Sequence, residues 1–341
     1  MGVLRNTGGN LPHIVNRLAA HKRALYALLP AGLASRHRSN PLASLKINQL
    51  YCVPVLVSGL ASLVLTKAEL KIVDDHYLKT LQSLLRLHKR TPRSIIYYLA
   101  GSLPAQALLH QKQLTLFSMI CHLKEDPLHH RAEYALLHYG RSSRSWFIQL
   151  KDICILYGLP HPLELLSHPI SKDRLKSLVK NRITEYWHKQ LCYEASSLSS
   201  LTHFSPHMHL LSSPHPMWVA AGSSPYEINK STVLCRMVSG RYVTENMSRF
   251  WTDNKDGFCL IPACYSQKTV GDLQHLLLHC PALHAVRENL HQMWLAKASA
   301  TPPLYSFVTK VLKSPPHHRL QFILDPTSMP EIISLYQVLG A

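Results

Sequence analysis

Residues 66–84 read Thr-Lys-Ala-Glu-Leu-Lys-Ile-Val-Asp-Asp-His-Tyr-Leu-Lys-Thr-Leu-Gln-Ser-Leu and carry a complete helix signal. Thr66 and Glu69 have the spacing of a capping box, in which each side chain satisfies a backbone N–H of the first turn. Apolar residues then recur every three or four positions, as on the buried face of an amphipathic helix. They are Leu70, Val73, Tyr77, Leu81 and Leu84. The stretch predicts a helix from Thr66 to about Lys89.

Similar helix signals recur along most of the chain. Asn-Pro and Ser residues stand where helices begin, and Gly or Pro stands where they end. Further helices are predicted from Asn10 to Pro30, from Asn40 to a break at Pro54, from Pro104 to about Leu123, from Ser145 to Tyr157, from Ser171 to Leu198 and from Glu227 to Val238. Few alternating strand patterns and no fixed-period repeat are found. The sequence therefore predicts a mainly α fold.

The order of these segments suggests four regions. Residues 1–125 are predicted to form a helical bundle, and residues 126–255 a helical linker region with a Ser/His/Pro-rich loop near 196–226. Residues 256–296 contain a cluster of Cys and His, and residues 297–341 form a tail containing Pro and His. This tail includes His317-His318, which is interpreted as part of a solvated loop.

Charged residues are scarce in the chain, and most of them are basic. Lys and Arg number 37 against 19 Asp and Glu, which gives a formal net charge of +18. The first acidic residue is Glu69, so the basic residues before it have no local counter-charge. Such an imbalance favours a polyanionic partner, and nucleic acid is preferred over an anionic membrane.

Cysteine usage and hydropathy bear on the compartment. Eight cysteines in 341 residues are sparse and, outside one late cluster, irregularly spaced, which favours a reducing compartment. The first residues lack the apolar core of a secretory signal. Polar residues and Pro54 interrupt the uncharged run from Ile47 to Thr66, so a buried helix pair is predicted there instead of a membrane span. We expect an intracellular protein, in the nucleus or cytoplasm, that is not secreted and has no membrane partner.

The late cluster has the spacing of a metal site. Cys259, Cys264, His275 and Cys280 follow the pattern Cys-x4-Cys-x10-His-x4-Cys. Three thiolates and one imidazole can close a tetrahedron on Zn²⁺ without leaving an open position, so the zinc would be structural. His279, one turn after His275, is a rival ligand. His275 is preferred because Cys280 must also reach the metal, and adjacent ligands are geometrically awkward. The alternative is that these are buried apolar cysteines beside a surface histidine.

Several short motifs occur in an order that resembles a known family. They are Gly2-Val-Leu-Arg5, Tyr51-Cys-Val-Pro54 with Ser58-Gly-Leu60, Leu99-Ala-Gly-Ser-Leu-Pro104, Ser145-Trp146, Tyr157-Gly-Leu-Pro160, Ser239-Gly-Arg-Tyr242 with Trp251, and the Cys/His unit ending Cys280-Pro-Ala-Leu283 followed by Arg287. Together they resemble the C-terminal half of non-LTR (LINE-type) retrotransposon reverse transcriptases, from just after the palm through the thumb to the zinc knuckle. The resemblance implies a thumb-like helical bundle, a CCHC zinc knuckle, and RNA or DNA as partner.

The catalytic residues that the family uses for RNA-directed DNA polymerisation are not found. Its palm carboxylates hold two Mg²⁺ ions, whereas the only Asp-Asp pair here, Asp74-Asp75, lacks the family's preceding aromatic residue and lies within the amphipathic helix. Both side chains are interpreted as charges on the helix surface. No catalytic residue is predicted, and the chain by itself is expected to be inactive as a polymerase.

The leading hypothesis is therefore a nucleic-acid-binding fragment of such a reverse transcriptase. Basic side chains would contact the phosphate backbone, and the candidates are Arg17, Lys22, Arg23, Arg36, Arg38, Lys176, Lys180 and Arg182. One alternative is a helical protein-interaction module in which segment 47–66 docks on a separately made palm. Another is an active polymerase whose upstream part is missing from the gene model.

Overall fold

The computed structural model describes residues 9–28, 40–250, 253, 256–326 and 329. Over these ranges the chain is dominated by helices, and an isolated antiparallel bridge between Phe258 and Val270 is the one β-type pairing. The predicted mainly α fold is confirmed. The α-helices of the described residues are α1 (Leu11–Leu28), α2 (Pro41–Ile47), α3 (Val53–Val57), α4 (Lys67–Leu84), α5 (Arg93–Ala100), α6 (Ala105–Cys121), α7 (Pro127–His138), α8 (Trp146–Tyr157), α9 (Pro162–Ser167), α10 (Lys172–Ser196), α11 (Pro216–Ala220), α12 (Pro225–Val238), α13 (Glu245–Ser248), α14 (Pro262–Tyr265), α15 (His284–Ala298), α16 (Pro302–Leu312) and α17 (Pro316–Leu324).

The chain divides into two compact units. The first comprises Met1–Arg86, Arg93–Glu194 and Leu210–Ile228, and the second comprises Leu87–Pro92, Ala195–His209 and Asn229–Ala341. The predicted boundary after residue 125 falls inside the first unit, between α6 and α7, which pack against each other. The predicted Cys/His segment and tail both belong to the second unit.

The first unit is built around α5. Every residue of this helix from Ser94 to Ala100 is buried, and α4 packs against both α5 and α6. Tyr77 of α4, Phe117 of α6 and Trp218 of α11 add the largest side chains of this core. The apolar stripe predicted for α4 is the face that packs here, although the helix ends at Leu84 instead of Lys89. The chain leaves α4 through Arg86, whose φ of 56° is left-handed.

The predicted break at Pro54 is wrong. Asn40 accepts a hydrogen bond from the backbone of Leu42 and caps α2, as its sequence position predicts. The helical path then continues through a π-helical turn, Asn48–Cys52, into α3, which contains Pro54 in its first turn. Because proline has no N–H to donate, a position at the start of α3 costs no hydrogen bond. None of the described helices has both the length and the apolar character needed to cross a membrane.

The predicted loop near 196–226 is more ordered than its composition indicates. It contains α11, and the Trp218 side chain is fully buried and donates a hydrogen bond to the carbonyl of Leu99 at 3.2 Å. Gly101, with φ of 59°, permits the close approach of this segment, because a Cβ there would lie 2.0 Å from the carbonyl carbon of Ser213. Residues 210–228 therefore form part of the first core.

The interpretation of His317-His318 as part of a solvated loop is also wrong, because both residues belong to α17. α16 and α17 pack around an apolar cluster that includes Phe307, Val308 and Val311. His317 lies within α17, although its side chain is exposed as expected. Each of these two helices has a proline in its first turn, which is a helix-start signal in the sequence.

Candidate metal centre and basic cleft

Cys259 and Cys264 lie on a tight turn that backbone hydrogen bonds close. The N–H of Cys259 donates to the carbonyl of Thr269 at 2.9 Å, and the N–H of Thr269 donates to the carbonyl of Cys264 at 3.0 Å. Pro262 opens the short helix α14, which contains Cys264. These bonds fix both thiols on one side of the turn, as a metal site on a knuckle requires.

His275 and Cys280 lie at the two ends of a π-helical turn, His275–His279. The carboxylate of Asp272 accepts a hydrogen bond from the His275 N–H at 2.7 Å and anchors the start of this turn. The N–H of Cys280 donates to the carbonyl of His275 at 2.7 Å, which is the wider bonding pattern of a π-turn. Arg287 donates to the Cys280 carbonyl at 2.7 Å and holds the turn against α15.

The four predicted ligands come together as a buried Cys3His cluster. One ligand atom from each residue lies within 4.8 Å of every other, and Cys259, Cys264, His275 and Cys280 are all at least nine-tenths buried. The His275 Nε2 atom is buried and has no hydrogen-bond partner among the described residues. His279, the rival ligand, is exposed and does not belong to the cluster. The geometry and donor set are compatible with structural zinc.

The electrostatics of the cluster favour a bound cation. Burial, together with the adjacent thiols of Cys259 and Cys280, raises the pKa of the Cys264 thiol to about 11. The Cys264 thiol therefore resists ionisation in the absence of a cation. A divalent metal reverses this preference because it binds thiolates and neutralises their charge.

Gly271 makes a close contact beside the cluster that the spacing of the ligands does not predict. A Cβ on Gly271 would lie 2.7 Å from the Cβ of Glu245 and 3.1 Å from the backbone nitrogen of Cys259. The carbonyl of Gly271 accepts a hydrogen bond from the N–H of Asn246 at 3.1 Å. Gly271 thus allows α13 to pack directly against the turn that carries Cys259.

The first unit contains a cleft of about 600 Å³ with lysines around it. We call it the basic cleft, and its lysines are Lys112, Lys172, Lys176 and Lys180. All four side chains are exposed, and the walls between them include the apolar Val53, Val57, Leu114, Leu175 and Val179. One acidic residue, Asp173, lines the same cleft. Sequence reasoning identified Lys176 and Lys180 but missed Lys112 and Lys172.

The other predicted nucleic-acid contacts are dispersed. Lys22 and Arg23 are exposed on α1, and Arg182 is exposed on α10, where it lies 3.7 Å from the Glu185 carboxylate. Arg17 is only 6% exposed, so its guanidinium is not a surface charge. The remaining two candidates, Arg36 and Arg38, lie outside the described residues.

The interpretation of Asp74 as a surface charge is wrong, whereas Asp75 is exposed as expected. The Asp74 carboxylate is buried, accepts a hydrogen bond from the N–H of Ala105 at 2.7 Å and lies 3.2 Å from the guanidinium of Arg93. It therefore joins α4 to the N-terminus of α6, which has no side-chain cap of its own. A carboxylate at this end also complements the helix dipole.

Comparison with protein-family models, with curated proteins and with solved structures finds no match to this chain.

Proposed function

We propose that this chain is a nucleic-acid-binding fragment related to non-LTR retrotransposon reverse transcriptases, with structural zinc in the Cys3His cluster. The observation that carries the binding proposal is the basic cleft, in which four lysines surround apolar walls. Lysine ammonium groups bind phosphates as point charges, and apolar walls accept the faces of unpaired bases. The volume of the cleft suits a small ligand, so about one or two nucleotides of a single strand would enter it.

The zinc proposal rests on the closed donor set. All four ligands belong to one short segment, and no fifth group from His279 competes for the site, since that side chain is exposed. Zinc bound there would tie the turn of Cys259 and Cys264 to the π-turn that begins at His275. Its role would be to stabilise this part of the fold, because four protein ligands leave no position for a substrate.

The inactive-polymerase proposal is supported by the contacts of Asp74. A carboxylate that accepts the Ala105 N–H and pairs with Arg93 is already occupied within the core. Asp75, beside it, is exposed on α4. This pair therefore does not present two carboxylates to a common metal ion, as phosphoryl transfer by two Mg²⁺ ions requires.

A second candidate function is a helical interaction module. It is favoured by Leu50 and Tyr51, which are 60% and 64% exposed on the π-helical turn of segment 47–66. Large apolar side chains at adjacent exposed positions suit contact with another protein, such as a separately made palm.

Salt-dependent binding separates the two functions. Single-stranded RNA and DNA labelled with a fluorophore are titrated with the protein, and anisotropy is followed at several NaCl concentrations. Contacts to phosphate predict affinity that falls steeply with salt for both nucleic acids and varies little with sequence. Absence of binding at low salt would leave the exposed Leu50 and Tyr51 surface as the better-supported functional region.

A further inference from the structure

A second cluster of metal-ligating side chains lies on α7, in the first compact unit. His129, His130 and Glu133 each offer a ligand atom, and the three atoms lie within 4.8 Å of one another. Asp126 caps the helix just before them by accepting a hydrogen bond from the N–H of Leu128 at 2.7 Å. The three side chains therefore project from a well-formed helical turn.

Glu133 lies within reach of both histidines. The histidines themselves are adjacent in sequence, so the approach of all three ligand atoms to within 4.8 Å is a feature of the structure and not of the spacing. His129 and His130 precede Glu133 by four and three positions, and side chains three or four residues apart on a helix are neighbours on its surface. Both imidazoles can thus approach the same carboxylate. Their rings lie edge to face, with centroids 5.9 Å apart, so the two histidines do not stack on each other.

His129 supplies an independent sign of a ligand. The residue is 9% exposed, at the margin of burial, and its Nδ1 and Nε2 atoms are both buried without a hydrogen-bond partner among the described residues. Buried polar atoms are nearly always satisfied, and an orphaned imidazole nitrogen next to another histidine and a carboxylate is the arrangement that a metal ion completes. His130 and Glu133 are exposed, so an ion can reach the cluster from solvent.

We propose that His129, His130 and Glu133 form a site for a divalent transition metal of the Zn²⁺ or Ni²⁺ type. Two imidazoles and one carboxylate select such ions over Mg²⁺ and Ca²⁺, which prefer oxygen ligands alone. The cluster provides only three protein ligands, so water or an external ligand fills the rest of the coordination shell. Unlike the Cys3His cluster, this site is accessible, and its metal exchanges with solvent.

Calorimetric titration of the full chain with Ni²⁺ tests this proposal, with the zinc content of the protein measured before and after. The wild type is expected to take up one nickel per chain without losing zinc. Glu133→Gln and His130→Ala are expected to lose that uptake or weaken it at least tenfold. Both residues are exposed, so the fold is retained, which near-ultraviolet circular dichroism verifies.

The matched control is His138→Ala, which removes an exposed histidine from the same helix. It is expected to bind nickel as the wild type does. The proposal is overturned if the wild type takes up no nickel, or if Glu133→Gln binds as tightly as the wild type. Nickel uptake that releases an equal amount of zinc and persists in Glu133→Gln would assign the binding to the Cys3His cluster.

Discussion

The carboxylate of Asp74 accepts a hydrogen bond from the backbone N–H of Ala105 at 2.7 Å and thereby caps α6 from α4. Burial raises the pKa of this carboxyl, while the nearby Arg93 guanidinium and the Ala105 N–H oppose that effect. The interaction is structural, because it satisfies the first N–H of a helix whose preceding residue, Pro104, has no side chain to cap it.

Asp74→Ala should lower the free energy of unfolding by about 1–3 kcal/mol, since it leaves a buried N–H without an acceptor and Arg93 without its partner. Asp75→Ala, at the exposed neighbouring position, should change it by less than about 0.5 kcal/mol. Urea unfolding of the two variants measures the difference. Equal effects of the two substitutions would show that the Asp74 contact contributes little.

Zinc analysis tests the ligand set of the Cys3His cluster. The purified, reduced protein should contain one zinc per chain, and Cys264→Ser or His275→Ala should lose it and increase hydrogen exchange across residues 256–296. His279→Ala should retain its zinc, because that side chain is exposed outside the cluster. A folded, reduced protein without zinc would refute the site, and loss of zinc in His279→Ala alone would refute the choice of ligand.

The buried His110 makes stability depend on pH. Its Nδ1 lies 2.8 Å from the Tyr157 hydroxyl, and burial lowers its pKa from 6.5 to about 4. As pH falls below about 6.5, His110 becomes protonated in the unfolded chain but stays neutral in the folded state. The free energy of unfolding therefore declines until about pH 4. This single group can account for up to about 3 kcal/mol.

Urea unfolding at about pH 7 and pH 4.5 measures this effect. His110→Gln, which cannot titrate, should lose less stability between the two pH values than the wild type does. His138→Gln, at an exposed position on α7, should show the pH dependence of the wild type. An unchanged pH dependence in His110→Gln would mean that other groups are responsible.

Primer extension tests the inactive-polymerase proposal. On a primed RNA template with Mg²⁺ or Mn²⁺, the chain should incorporate no nucleotides, because Asp74 is engaged in the core and Asp75 lies on the surface. The Asp74→Asn/Asp75→Asn double variant is the control. Template-dependent extension by the wild type that this variant abolishes would contradict our assignment of the pair.

Features set by local sequence could be predicted, and those set by tertiary packing could not. The capping box of Thr66 and Glu69 and the spacing of the Cys/His ligands are local patterns, and the structure reproduces the first and brings the second together. α5 was missed because its eight residues are mostly a short apolar run, and such a run cannot be assigned to a helix or a strand from periodicity alone.

The basic cleft also depends on tertiary packing and could not be predicted from local sequence. Lys112 belongs to α6 and Lys176 to α10, and only the packing of the first unit places them around one cleft. The prediction that Asp74 lies on the surface is wrong for a related reason. Its partners Arg93 and Ala105 are distant in sequence, so no local pattern indicates the pairing.

The central claim is that the basic cleft binds the phosphate backbone of nucleic acid, and the salt dependence of RNA binding tests it most directly. The decisive comparison is between Lys112→Gln/Lys176→Gln/Lys180→Gln and a control of equal charge change, Lys67→Gln/Lys71→Gln/Lys124→Gln, whose exposed lysines lie outside the cleft. The cleft variant should bind single-stranded RNA more weakly, with a slope of log affinity against log salt reduced by about 2, because each phosphate contact contributes about 0.7. The control variant should keep a slope close to that of the wild type. A wild-type affinity that does not change with salt, or a cleft variant that binds as the wild type does, would contradict the claim.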